Sequence, residues 1–284
     1  MELDNEGKAI MDMPSNTNFD RMVFRNTNEQ KGRNISVTPA NSTNKHLAYA
    51  RIILDASTQS VKFSNGENET GLICLSGSAT VKTGGATFSL AQYDSIYIPR
   101  DSEIEISTGS TVDFAEFSAP VSKRYPVHFV AYKDVLADPK LHLSIGAPSC
   151  QRDLNVTIGG NVEAGRLLAG FTFSDPGNWT SWPPHEHTEM LEEMYVYFNM
   201  PAPAFGIQMV YNETEYPELV TVVRDGDAVL MPSGYHPNVS VPGHKIGFLW
   251  AMAAHREVEY RKFGVVNVQP DFNQTGSGLD VAKK

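Results

Sequence analysis

Residues 183–195 read PPHEHTEMLEEMY, and residues 226–237 read GDAVLMPSGYHP. Together they hold His185, His187, Glu192 and His236. Three imidazoles and one carboxylate form a donor set that can grip a divalent metal ion and still leave positions for substrate or water. Imidazole with carboxylate suits Zn, Mn, Fe, Ni or Co, and the donor types do not choose among them.

The elements that carry these residues must bring them together. Side chains i and i+2 of a strand face the same way, so His185 and His187 converge if PPHEH is extended. Pro183 and Pro184 favour that, because the residue before a proline avoids the helical region. Glu192 lies five residues beyond His187 and would face away in one continuous strand. A turn over 188–191 resolves this by returning Glu192 on a neighbouring strand that continues as MYVYF. His236 arrives from a distance, where the apolar stretch AVLMP runs into a tight turn. A competing reading makes 183–195 a proline-initiated helix, which places His185 near Glu189 and leaves His187 alone. The full pattern, H-x-H-x4-E and then G-x5-P-x-G-x-H, favours the strand reading.

The surrounding sequence agrees. Short β-branched and aromatic runs recur at 47–54, 71–75, 78–83, 86–90, 95–99, 103–107 and 112–117. They resume at 166–173, 194–198, 206–211, 219–223, 228–232 and 246–253. Gly, Asn, Asp and Ser separate them. Only 132–139 (YKDVLADP) reads as a turn or two of helix. Many short strands at regular spacing indicate an all-β sandwich or barrel. The chain divides into a flexible arm (1–20), an N-terminal barrel (21–120), a connector (121–165), a C-terminal barrel (166–265) and a tail (266–284).

The halves also match each other. YDSIYIP ends at Pro99 and GDAVLMP at Pro232; Asp94 and Asp227 precede them, each pair 133 residues apart. That offset maps His236 onto Glu103, and His185 and His187 onto Ile52 and Leu54. The N-terminal copy therefore holds no metal site, and its role is structural.

Composition narrows the function. A net charge of −10 leaves no basic stripe to neutralise phosphates, which argues against nucleic acid. No apolar run reaches the roughly 18 residues that span a membrane. The N-terminus lacks the basic and apolar regions of a signal peptide. Cys74 and Cys150 form no CxxC pair, which excludes a zinc knuckle and suits a reducing cytoplasm.

The two-part histidine pattern resembles the signature of the cupin barrel, with one residue rather than two between Gly234 and His236. A closer likeness rests on WTSWPPHEH, LEEMY, VVRDGDAVLMPSGYHP, LWAMA, LSGSATVKTGG, FSAP at 117–120 and SCQRDLNVTI. Over residues 21 to 265 the chain resembles the 5-deoxy-glucuronate isomerase family of inositol catabolism, related to the 5-keto-4-deoxyuronate isomerases. The resemblance implies a bicupin, two tandem jelly-roll barrels, with one metal ion in the second. It implies His185, His187, Glu192 and His236 as ligands, Zn or Mn as the first metals to test, and a small sugar as substrate.

That chemistry moves a carbonyl between adjacent carbons, through an enediolate or a hydride shift. The metal would stabilise the oxyanion, and a base would carry the proton. Tyr235, Tyr211 and Glu193 are the catalytic candidates, with Glu193 ranked last because it faces away from Glu192. Gln208, Arg152 and Arg166 are the substrate-binding candidates; a guanidinium suits an anion. Some positions depart from the family: MYVYF replaces an IYYHR-like run, Met209 and Ser233 replace arginines, and His255 is new. The 188–191 stretch is also short. The substrate is thus left open among a sugar acid, a sulfonated sugar and a neutral aldose. Competing functions are an iron-dependent dioxygenase on the same ligands and a non-catalytic sugar-binding cupin. Unpaired strand edges suggest a homo-oligomer.

Overall fold

The structure is a computed structural model that describes residues 19–272. Most of the expected arm (1–18) and the end of the expected tail (273–284) lie outside the described residues. The described residues are all-β, with short helices among them only at Phe19–Met22 and Tyr132–Ala137 and a 3-10 turn at Pro270–Phe272. The second helix falls where YKDVLADP predicts it.

Two large antiparallel sheets dominate. A nine-stranded sheet is built mainly from the N-terminal half, and a seven-stranded sheet from the C-terminal half. A four-stranded sheet faces the latter, ordered Trp179–Thr180, Asn238–Ser240, Gly206–Val210, Leu219–Val223. Strand Asn68–Thr83 runs through what the sequence suggests are two strands, with a register shift between Cys74 and Ser76.

Alternation along the seven-stranded sheet assigns its two faces. Ala169, Phe171, Met194, Val196, Leu249 and Ala251 pack with Tyr49, Ile73, Tyr97 and Phe117 of the other half. The opposite face carries Leu168, Tyr195, Tyr197, Phe248, Trp250 and Met252. The N-terminal half has its own interior, filled by Ile52, Leu54, Leu72, Val81, Ile96, Ile104, Ile106 and Phe114. That interior is a close-packed cluster of apolar side chains.

The stretch 121–165 is more than a connector. His128–Val130 pairs with Ser95–Ile98 in the N-terminal sheet. His142–Ile145 and Arg152–Ile158 extend the C-terminal sheet. Val23–Phe24 crosses to that sheet too and pairs with Ala228–Met231. The matched aspartates do matching work at these crossings. Asp94 accepts the N–H of Ala91 and of Tyr132. Asp227 accepts the N–H of Arg224 and Asn26 and pairs with the Arg25 guanidinium.

Both cysteines are buried and free. Among the described residues no helix is long and apolar enough to cross a membrane.

Candidate metal centre

His185 lies on the two-residue strand His185–Glu186. The chain then turns, with Met190 and Leu191 both donating their N–H to His187 O at 2.9 Å. Strand Leu191–Tyr197 comes next. Its odd-numbered residues Leu191, Glu193 and Tyr195 face the cavity, while Met194 and Val196 enter the core between the halves. The expected turn is therefore present, but it returns Glu193, not Glu192, to the histidines. Turn and strand together add one residue more than the spacing alone suggests, and strand alternation sends Glu192 to the other side.

His236 comes two residues after Gly234, whose φ is +89°. A Cβ at Gly234 would lie 2.8 Å from Tyr211 O, so both conformation and space there suit only glycine. Gln208, fully buried, donates its amide to His236 O at 3.0 Å and to Pro237 O at 3.3 Å. The turn is thus fixed from both sides.

Three side chains converge. His187 Nε2 lies 2.9 Å and His236 Nε2 3.0 Å from the same atom, Glu193 Oε2. Among the described residues His187, Glu193 and His236 form the one group whose ligand atoms all lie within 4.8 Å of one another. The His185 ring is 5.0 Å from that of His236 and 6.4 Å from that of His187.

Each imidazole is oriented by a backbone carbonyl. His185 Nδ1 is 2.9 Å from Pro183 O, His187 Nδ1 3.1 Å from Leu191 O, and His236 Nδ1 3.0 Å from Gly234 O. An Nδ1–H given to a carbonyl leaves a neutral ring with its lone pair on Nε2. Nitrogen lone pairs and a carboxylate oxygen at these distances repel unless a proton or metal ion lies among them. His236 Nε2 is buried and makes no hydrogen bond despite its proximity to Glu193. An unsatisfied ring nitrogen aimed at a carboxylate fits a metal ligand.

The electrostatics agree. Burial alone would raise the Glu193 pKa, but its close contacts with the His187 and His236 rings hold it down to about 2. Burial likewise opposes charge on His187, yet the Glu193 carboxylate leaves its pKa raised. His185 lacks that contact; burial and the neighbouring His236 push its pKa down to about 3.

The centre opens into a cavity of about 130 Å³. Sheet register accounts for its floor. Glu193 pairs with Met252, Tyr195 with Trp250, and Tyr197 with Phe248, so all six share one face. Gly170 sits opposite Trp250, where a Cβ would lie 2.3 Å from the indole. Its absence leaves that space to the ring. Phe263, Val265, Val266 and Val268 close another side. These belong to the end of the chain, expected as the barrel's last residues and a tail. Asn267–Val268 instead pairs with His185–Glu186. Gln269 fastens this segment, giving its N–H to Pro184 O and accepting from the Tyr211 hydroxyl at 2.8 Å.

The polar lining is sparse: Arg152, Thr172, Ser181 and Tyr195 beside the metal group. Arg152 is 7% exposed and donates to Cys150 O and Trp182 O, both at 2.9 Å. No carboxylate pairs with it among the described residues. Burial lowers its pKa from the usual arginine value. The Tyr195 hydroxyl is 2.6 Å from Ser181 Oγ, and burial with the Glu193 charge holds its pKa well above that of a free phenol.

The remaining sequence candidates lie elsewhere. Glu192 binds backbone N–H groups of residues 45–47. The Tyr211 hydroxyl is engaged by Gln269, and Tyr235 is bridged to Tyr211 through its backbone; neither lines the cavity. Gln208 holds the His236 turn rather than facing the cavity. Arg166 is spent on Pro120 O, Ala254 O, His255 O and Glu257. Tyr195 is legible as the i+2 neighbour of Glu193; nothing in the spacing marks Ser181 or the C-terminal segment.

Comparison with known proteins places this geometry in context. The model of the KduI/IolB family matches residues 22–270. A 5-deoxy-glucuronate isomerase of Geobacillus kaustophilus is 27% identical over 241 residues, 79% of this chain and 85% of that one. A 4-deoxy-L-threo-5-hexosulose-uronate ketol-isomerase of Lachnospira eligens is 29% identical over 197 residues, 66% of this chain and 69% of that one. The crystal structure of an IolB-like protein from Salmonella typhimurium superposes with a TM-score of 0.79 at 22% identity, covering 89% of this chain and 98% of that one.

Proposed function

The chain belongs to the KduI/IolB family, and from that premise we propose that it is a metal-dependent aldose–ketose isomerase of a small sugar acid. The metal ligands in this reading are His185, His187, Glu193 and His236. The observation that carries it is the orientation of three imidazoles by backbone carbonyls, with His187 and His236 directed at one oxygen of Glu193. A divalent ion in this set, Zn or Mn first and Fe, Co or Ni as alternatives, supplies Lewis acidity to polarise a carbonyl and stabilise the oxyanion that isomerisation develops.

The chain's own residues then divide the remaining work. Arg152 binds the substrate's anionic end, because its guanidinium is buried beside the cavity without a carboxylate partner. Tyr195, kept a neutral phenol, donates to a substrate oxygen. Phe248, Trp250 and the C-terminal valines exclude water, which strengthens each polar contact inside. The named relatives act on deoxy-uronates, and an acid of that size and charge suits a site with one cationic end and apolar walls. Arg152 favours such an acid over the neutral aldose; a sulfonated sugar would engage it in the same way.

For the architecture, we read two tandem cupin barrels, about 21–120 and 166–265, the second carrying the metal. Supporting this are the matching roles of Asp94 and Asp227 and the filled interior of the first half. Strand edges such as Leu219–Val223 offer surfaces for a homo-oligomer, and the cytoplasm is the expected compartment.

The test is a panel of deoxy-uronates, sulfosugars and neutral aldoses with metal-loaded protein, monitored by NMR. Isomerisation of an anionic sugar, lost after chelation, supports the reading. Oxygen consumption without isomerisation of any member would replace it with a dioxygenase.

A further inference from the structure

Glu192 is 2% exposed and has no part in the metal centre, yet its carboxylate is fully occupied. Oε2 accepts the N–H of Lys45 at 2.7 Å; Oε1 accepts those of His46 at 2.8 Å and Leu47 at 2.6 Å. These residues lead into strand Ala48–Leu54 of the other half. Glu69 makes the same contact in the opposite direction. It is fully buried, and it accepts the N–H of Gly165 at 2.7 Å, Arg166 at 2.6 Å and Leu167 at 2.7 Å, where strand Leu167–Ser174 begins. Two buried carboxylates thus cross-link the halves reciprocally, each clasping the backbone that starts a strand of its partner.

Glu69 and Glu192 are 123 residues apart, ten fewer than Asp94 and Asp227. The repeat offset therefore changes along the chain. At the local offset His185 and His187 correspond to Lys62 and Ser64, not to Ile52 and Leu54; neither pair could bind a metal.

The two clasps differ in the residue next to the glutamate. Thr70 comes after Glu69, whereas Glu193 comes after Glu192. The strand that carries Glu193 also begins with support on one side only. Leu191 and Glu192 pair with Ala254 and Ala253, but pairing with Ala228–Met231 begins at Glu193. We propose that Glu192 is a positioning residue for the metal centre: its clasp on 45–47 supplies the missing restraint and holds the Glu193 carboxylate at His187 and His236. Ligand groups must be held to about 0.5 Å, and charge-assisted bonds to both oxygens leave the Glu192 side chain no freedom to swing. This inference rests on reading the centre as a metal site.

Glu69→Gln is the internal control, because it weakens an equivalent clasp away from the centre. Cobalt(II) is the probe, its affinity read by competition with a chromophoric chelator and its ligand field by the visible spectrum. Both Glu192→Gln and Glu69→Gln lower the unfolding midpoint. Only Glu192→Gln weakens cobalt binding, by tenfold or more, and alters the visible band. His46→Pro, which deletes one donor from the far side of the clasp, weakens binding in the same direction and serves if Glu192→Gln does not fold. Equal loss of cobalt affinity in Glu69→Gln and Glu192→Gln, or wild-type affinity and spectrum in Glu192→Gln and His46→Pro, overturns the inference while leaving the metal reading intact. A wild-type protein that binds no cobalt, zinc or manganese overturns both.

Discussion

His187 and His236, 49 positions apart in the chain, address a single atom, Oε2 of Glu193, at 2.9 and 3.0 Å. Their other ring nitrogens are already committed to backbone carbonyls. The geometry needs a proton or a metal ion at this point, and the electrostatics of the ring pair depend on which is there.

Arg152 is expected to set substrate affinity. A charge-assisted hydrogen bond contributes roughly 1.5–3 kcal/mol, so Arg152→Met should raise KM for an anionic sugar by about 10- to 100-fold. Arg152→Lys should recover part of the loss, since it keeps charge without the planar fork. Steady-state kinetics decide it; an unchanged KM in Arg152→Met would remove the arginine from the substrate site.

Tyr211 and Tyr235 look like proton carriers in the sequence, but the Tyr211 hydroxyl fastens Gln269 and so the segment that closes the cavity. Tyr211→Phe should cost about 1 kcal/mol of stability and keep kcat within roughly fivefold, since a kcat loss of one hydrogen bond's worth is the most a fastening role transmits. A fall of a hundredfold or more at unchanged stability would restore a role in the chemistry.

Among the described residues, and apart from the proposed ligands, the titratable side chains lining the cavity are Arg152 and Tyr195, and neither is a base near neutral pH. That favours transfer of hydrogen within the substrate over exchange through a protein base. Product formed in deuterated water should carry little deuterium at the two reacting carbons. One solvent deuterium per turnover would require a base outside this set.

Chelated protein should lose stability in acid in a defined window. His185 has its folded pKa lowered from 6.5 to about 3, so the unfolded chain binds its proton more readily between those values. Stability therefore rises with pH across that window and falls as pH drops below about 6.5. Glu193, lowered from 4.5 to about 2, adds loss of the same sign further into acid. His187, with a raised pKa, acts oppositely: its contribution is present in acid and lost as pH climbs through its folded value. Thermal melts from pH 7 to 4 should show a falling midpoint, with a shallower slope in His185→Gln. Equal slopes would remove His185 as the cause.

Much of this is legible in the sequence because strands announce themselves by alternation. The strands 103–107 and 219–223 coincide with prediction, and His187 and His236 lie together with the His185 ring beside them. The glutamate does not. Adjacent Glu192 and Glu193 are equivalent by composition, and only the residue at which the strand starts decides which faces the cavity. Strands His142–Ile145 (HLSI) and Arg152–Ile158 (RDLNVTI) are hidden because charged and polar residues interrupt their apolar runs, although they pair with each other. Arg152 and Arg166 look alike as free cations, yet backbone carbonyls and Glu257 saturate one while the other faces a cavity. The C-terminal valines carry no motif, because their role comes from covering a site built by other segments.

The central claim is that Glu193, rather than its neighbour, completes a metal-dependent isomerase centre. Metal content and isomerisation of a deoxy-uronate, measured together on wild type and Glu193→Gln, test it most directly. The wild-type chain should hold about one divalent ion tightly. The variant should lose that ion, with a fall in kcat/KM of at least roughly a thousandfold, the scale of removing an electrostatic stabiliser of the transition state. A variant that keeps both its metal and its activity would contradict it.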